Sequence, residues 1–152
     1  MEFALTAPGH AGAQADDSYE IERQENSIVA AYLWISLGAI LGANARYALS
    51  RYASKILGAG FPYGTMIINV TGSLILGWFM VWSTERALAD VRWRLFVAIG
   101  FCGGYTTFSS YAYESFVQLE QGHWGLFTTN VLGNNVIGLL AVIAGAALAR
   151  AM

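Results

Sequence analysis

The most unusual residue combination in this chain lies at positions 100–111, inside an uncharged run at positions 95–113. It joins three glycines with four Thr or Ser hydroxyls and several aromatic rings. The run is long enough to cross a bilayer, and adjacent Gly103 and Gly104 favour a break in its helix. Backbone groups freed by a break persist at membrane depth only where protein or a water-filled cavity covers them. The stretch therefore predicts a site for an ion or small polar solute. The alternative is a glycine-rich packing surface between helices.

Composition predicts a membrane protein. The 152 residues are 56% hydrophobic and only 12% charged, whereas soluble domains carry about 25% charged residues. The charges are clustered, which leaves four long neutral segments and predicts an all-α protein with four transmembrane helices. The formal net charge of −2 gives no signal for nucleic acid. The spacing of its residues fits no metal cluster, nucleophile elbow or P-loop, so we do not expect an enzyme.

The neutral segments set the expected positions of the helices. We expect the first helix at 27–45, the second at about 61–82, the third, broken near its middle, at 95–113, and the fourth within 121–149. Residues 1–26 hold six of the ten acidic residues and have no sustained apolar period. They predict a polar N-terminal extension that is disordered or loosely helical. The four-helix domain is therefore expected at residues 27–152.

Asparagines within the predicted helices are further site candidates. Asn69 lies near the middle of the second helix. In the fourth helix, Asn130 and Asn134 are four residues apart and face one side, whereas Asn135 lies off that side. An amide at this depth costs free energy unless it is paired. From spacing alone, a hydrogen bond between helices, worth about 0.6–2 kcal/mol, and a contact with an ion path are equal alternatives.

Two features bear on assembly. Gly38 and Gly42 are four residues apart in the first helix and predict a surface for close contact with another helix. Four spans divide the basic residues five to three between the two sides of the membrane: Arg23, Arg86, Arg92, Arg94 and Arg150 against Arg46, Arg51 and Lys55. So weak a bias predicts insertion in both orientations.

Three motifs resemble those of the small fluoride channels called Fluc or CrcB. They lie at residues 42–47 (GANARY), 64–72 (GTMIINVTG) and 100–110 (GFCGGYTTFSS). Their order and spacing agree with the family, and the third motif is highly specific. The resemblance covers about residues 27–149 and leaves the acidic extension outside.

The resemblance implies an antiparallel, dual-topology homodimer in the inner (plasma) membrane, with two fluoride pores built from both subunits. Such a channel exports fluoride passively and lowers its cytoplasmic concentration. The implied partners are a second copy of the chain, fluoride and the lipid bilayer. One alternative is a small dual-topology multidrug exporter, which needs a carboxylate within the membrane that no predicted helix carries at its centre. Another is a membrane accessory subunit that transports nothing.

The resemblance also assigns residues to the pore. By motif position Asn69 lines it, and Phe108 offers its ring edge to fluoride. Tyr111 stands where the family has a second phenylalanine, so Tyr111→Phe should be tolerated. The fourth-helix positions that carry hydroxyls in the family are Asn130 and Asn134 here. Further pore candidates are the hydroxyls of Thr107, Ser109 and Ser110, and a structural or vestibule role is implied for Arg46 and Glu114.

A structural sodium ion at the dimer interface is also implied. The carbonyl oxygens of Gly103 and Thr106, freed by the break, would hold it together with those of the second subunit. Uncharged carbonyls suit a monovalent cation better than Ca²⁺, which prefers carboxylates and six or more ligands. The alternative is that the hydroxyls of Thr107 or Ser110 cap these carbonyls without any ion.

Overall fold

A computed structural model describes residues 10–85 and 90–152, with side chains from residue 23 onward. These residues are all-helical, as predicted. The helices are α1 (His10–Leu57), α2 (Tyr63–Glu85), α3 (the consecutive segments Val91–Trp93, Arg94–Cys102 and Gly103–Tyr105), α4 (Phe108–Glu120) and α5 (the segments Trp124–Leu132, Gly133–Ile137 and Gly138–Ala151). The middle segments of α3 and α5 are π-helical. A division between two compact units falls after Leu33, and every contact described below lies within Trp34–Met152.

The N-terminal extension is helical over much of its length. Helix α1 begins at His10, so residues 10–26 belong to the same helix as the first predicted span. Residues 1–9 lie outside the described part of the chain. The division into an extension at 1–26 and a four-helix domain at 27–152 stays a prediction.

Among the described residues, three helices are long and apolar enough to cross a membrane: Arg23–Leu57, Tyr63–Glu85 and Trp124–Ala151. They correspond to the first, second and fourth predicted helices. Helices α3 and α4 together occupy the third predicted segment and are separated by Thr106 and Thr107. Each is shorter than the roughly 20 residues that a single span requires.

The Trp34–Met152 unit buries several polar side chains and exposes many large apolar ones. Leu139, Leu140 and Ile143 on α5 are each more than half exposed, whereas Ser83 and Asn130 are completely buried. Soluble proteins show the reverse arrangement. The pattern is expected for helices whose outer surface meets lipid or another subunit, because polar groups must then face protein or water.

Glycines allow α1 and α3 to approach closely. A Cβ atom at Gly38 would collide with the backbone of Phe96 and Phe101, and one at Gly42 with the backbone of Phe101. Gly104 on α3 faces the backbone of Ala39 in the same way. The contact surface predicted from Gly38 and Gly42 is therefore confirmed, and it holds α3 beside the polar interior.

Candidate functional site

Helical backbone geometry stops at Thr106 and Thr107, between α3 and α4. Thr106 has φ −83° and ψ 160°, and Thr107 has φ −150° and ψ 116°, so both residues are extended. The sequence predicted an interruption favoured by Gly103 and Gly104 and reaching Thr106; of these three residues only Thr106 is extended. Both glycines are helical, and the non-helical residues follow them.

The side chain of Asn69 explains where the interruption falls. Its Oδ1 accepts a hydrogen bond from the N–H of Thr107 at 2.9 Å, and its Nδ2 donates to the carbonyl of Thr107 at 3.2 Å. In a continuous helix the N–H of Thr107 would bond to the carbonyl of Gly103 instead. Thr107 also caps α4, because its Oγ1 accepts from the N–H of Ser110 at 3.2 Å. A hydrogen bond from α2, and not glycine flexibility, sets the end of α3.

Asn69 is also one end of a chain of side-chain amides that joins α2, α5 and α4. Asn69 Nδ2 donates to Asn134 Oδ1 at 2.9 Å. Asn134 Nδ2 donates to Asn130 Oδ1 at 2.9 Å and to the carbonyl of Asn130 at 3.0 Å. Asn130 Nδ2 donates to Ser115 Oγ at 2.9 Å, and Ser115 Oγ donates to the carbonyl of Tyr111 at 2.8 Å. Each amide both accepts and donates, so the cost of burying these groups is largely offset.

A cavity of about 330 Å³ lies beside the interruption. It brings together seven of the predicted site residues: Asn69, Gly103, Thr106, Thr107, Phe108, Tyr111 and Asn134. These residues come from α2, α3, α4 and α5 and from the extended segment between α3 and α4. The second and third motifs therefore both contribute to one cavity, although Asn69 and Thr107 are 38 positions apart in the sequence.

Three predicted pore residues do not line this cavity. Asn130 is fully buried behind it, within the amide chain. Ser109 and Ser110 lie in the first turn of α4, where their hydroxyls contact Thr107 Oγ1 at 3.2 and 3.1 Å. Their contact with an ion stays a prediction.

The two residues predicted for a structural or vestibule role lie apart from the cavity of Asn69. Arg46 is half-buried on α1. Glu114 lines a second cavity of about 520 Å³ near the end of α4. Thr65 donates to Glu114 Oε1 at 2.7 Å, whereas Oε2 is buried without a partner among the described residues. Sequence reasoning did not single out Thr65, although its position four residues before Asn69 on the same helical face was an available signal.

The π-helical segment Gly133–Ile137 changes which asparagines face the cavity. A π turn contains about one more residue than an α turn, and both Asn134 and Asn135 line the cavity. Asn135, which the sequence places off the side of Asn130 and Asn134, is exposed and still lines the cavity.

The fold and the site together define a multi-pass membrane protein with an open polar cavity, lined by residues of several helices that contribute amides, hydroxyls and aromatic rings. Comparison with known proteins then identifies its family. Residues 33–146 match the family model described as "CrcB-like protein, Camphor Resistance (CrcB)".

Curated relatives agree with this match. A protein of Koribacter versatilis (strain Ellin345) named "Fluoride-specific ion channel FluC" is 60% identical over 121 residues, covering 80% of this chain and 96% of that protein. Proteins of the same name from Sulfurihydrogenibium sp. (strain YO3AOP1) and Legionella pneumophila (strain Lens) are 44% identical over 119 residues and 42% identical over 123 residues. These matches cover 78% and 81% of this chain, and 96% and 92% of the relatives. The chain belongs to the CrcB family, which confirms the resemblance inferred from the three motifs.

The burial of Asn130 predicts that it stabilises the fold. Asn130→Ala would remove the side-chain acceptor of Asn134 and the donor to Ser115 while keeping the Asn130 carbonyl that Asn134 also contacts, and should lower the free energy of unfolding by about 1–3 kcal/mol. The midpoint of thermal unfolding in detergent measures this loss. Thr129→Val is the matched control, because the exposed Thr129 hydroxyl bonds only to a carbonyl of its own helix, at 2.8 Å. Equal midpoints for Asn130→Ala and the wild type would contradict the prediction.

Proposed function

We propose that this protein is a fluoride channel that lets the ion leave the cell passively across the inner membrane and so lowers cytoplasmic fluoride. The observation that carries the proposal is the cavity that joins Asn69 to Phe108, in a chain 60% identical to a protein named as a fluoride-specific ion channel. The alternatives, a multidrug exporter and an accessory subunit that transports nothing, have no comparable support.

The chemistry of the cavity suits a small, strongly hydrated anion. A pore must replace the water around fluoride with N–H and O–H donors, and aromatic ring edges carry partial positive charge that can help. Helix α4 begins at Phe108, so its first backbone N–H groups have no helical partners and the positive end of its dipole lies at the cavity. The cavity lining contains no charged side chain. An ion held only by neutral groups can leave again, which conduction requires.

We also propose that the channel is an antiparallel, dual-topology homodimer with two pores, each built from both subunits. Phe108 lines the cavity yet is 78% exposed in the single chain. A ring that contacts a permeating anion needs a wall on its other side, and a second subunit would supply it. The five-to-three division of basic residues supports insertion in both orientations.

A structural sodium ion at the dimer interface completes the proposal. The carbonyls of Gly103 and Thr106 support it because the N–H groups that would pair with them in a helix are engaged elsewhere. Thr107 N–H bonds to Asn69, and Ser110 N–H bonds to Thr107 Oγ1. The Thr107 hydroxyl donates to Ser110 Oγ at 3.1 Å, so it caps neither carbonyl. These hard, uncharged oxygens fit a monovalent cation, whose positive charge would offset part of the cost of an anion nearby.

Flux measurements test the pore residues. Asn69→Asp would place a carboxylate beside a permeating anion, and a charge at this depth costs about 2.5–3.5 kcal/mol, so fluoride efflux from liposomes should fall about 100-fold. Phe108→Ile keeps bulk but removes the ring edge and should lower efflux about tenfold. Phe116→Ile is the control, since Phe116 is an exposed ring on the same helix outside the cavity. Near-normal efflux from either pore variant, in protein that elutes as a dimer, would refute the assignment.

Removal of sodium tests the cation site. We expect protein purified in N-methylglucamine to lose most fluoride efflux and to regain it as sodium is added back. Choline at equal ionic strength is the control for a general salt effect. Full efflux in the complete absence of sodium and other small cations would rule the site out.

Labelling from one side of the membrane tests dual topology. Lys55 is exposed at the end of α1, and Lys55→Cys on a Cys102→Ala background provides one accessible thiol. An impermeant maleimide should label about half of these thiols in intact cells and the rest after permeabilisation, because each orientation is expected to be about equally populated. The unsubstituted protein is the control, because its single cysteine, Cys102, is buried. Labelling that is complete from one side would exclude the dual orientation.

A further inference from the structure

Most side-chain donors of the cavity beside Thr106 and Thr107 are already engaged within the chain. Asn69 Nδ2 donates to two acceptors, and Asn134 Nδ2 also donates to two. The hydroxyl of Thr106 donates to the carbonyl of Cys102 at 2.9 Å. An anion that enters must either displace such a bond or use a donor that is not yet engaged.

The contact between Asn135 and Tyr111 leaves one donor free. Asn135 Nδ2 lies 2.8 Å from the carbonyl of Val131 and 2.9 Å from the hydroxyl of Tyr111. A carbonyl can only accept, so the amide atom facing Val131 must be the nitrogen. The same nitrogen faces Tyr111, so the phenol oxygen accepts and its hydrogen is not directed at Asn135.

The Tyr111 hydroxyl is therefore available to a ligand in the cavity. Among the described residues that line the cavity, the hydroxyls of Tyr111 and Ser73 have no acceptor within the chain. Tyr111 lies beside Phe108 in an edge-to-face contact, with ring centroids 5.5 Å apart. Because the phenol oxygen accepts from Asn135, its O–H bond is also more strongly polarised, as in any cooperative pair of hydrogen bonds.

We propose that Asn135 is a positioning residue that holds the Tyr111 hydroxyl as a hydrogen-bond donor to the permeating anion. The role rests on the proposed fluoride channel. It makes the two neighbouring rings chemically different, because Phe108 offers an aromatic edge and Tyr111 offers an O–H group. An O–H donor favours a small, hard halide over a larger one, so the pair also contributes to selectivity. The expectation from the family resemblance that Tyr111→Phe is tolerated gives the hydroxyl no role. The proposal predicts the opposite result, and the experiment below distinguishes the two.

A double-mutant cycle in liposomes tests the proposal. Fluoride efflux is measured in sodium over a range of fluoride concentrations for the wild type, Tyr111→Phe, Asn135→Leu and the double variant. Tyr111→Phe should raise the fluoride concentration for half-maximal efflux about tenfold, the effect of one hydrogen bond to a charged group. Asn135→Leu should raise it in the wild-type background but not further in the Tyr111→Phe background. Tyr52→Phe is the control, because Tyr52 is exposed and lies outside the cavity.

Each outcome decides one question. A wild-type protein that passes no fluoride overturns the proposed function and this role with it. Normal wild-type efflux with an unchanged Tyr111→Phe variant overturns this role alone. If Asn135→Leu raises the half-maximal concentration equally in both backgrounds, Asn135 does not act through Tyr111 and the positioning role is refuted. If Tyr111→Phe does not yield dimeric protein, Asn135→Leu decides by itself, and an unchanged half-maximal concentration overturns the role.

Discussion

The paired hydrogen bonds between the Asn69 side chain and the backbone of Thr107 determine most of what surrounds them. The Asn69 amide accepts from the N–H and donates to the carbonyl of the same residue, which is the pairing that a residue of a neighbouring β-strand would make. Because the N–H of Thr107 is engaged by α2, α3 cannot continue and α4 must start afresh at Phe108. The cap on α4 and the position of the Phe108 ring both follow from this contact.

The chain of hydrogen-bonded amides allows polar side chains to be buried between apolar helices. An unpaired amide in such surroundings is costly, and Asn130 is completely buried. Its donor and acceptor are both matched, by Ser115 and Asn134, so this amide adds rigidity without itself being left unsatisfied. The chain of amides also connects α2, α4 and α5 directly, which fixes the distances between these three helices that line the cavity.

The sequence predicted the class, the family and the central residues, because these depend on composition and on specific motifs. Asn69 and Phe108 do line one cavity, and the contact of Gly38 and Gly42 with α3 was readable from their spacing. The limits of the interruption were predicted only in part, because Gly103 and Gly104 dominate local propensity while the deciding hydrogen bond comes from a residue more than thirty positions away. That Asn135 lines the cavity was not predicted, because nothing local marks a π turn, and the full burial of Asn130 was not predicted, because periodicity gives a side chain's direction but not its depth.

The chain of amides has one more consequence, which concerns protons. A carboxylate or imidazole can take up a proton at one atom and release it from another, but a carboxamide does not ionise in the physiological range. The links from Asn130 through Asn134 to Asn69 therefore cannot relay a proton by ionising. The hydrogen bonds between these amides are therefore also independent of pH on either side of the membrane. A cavity supported in this way can admit an anion without these amides becoming a leak in the cell's proton gradient.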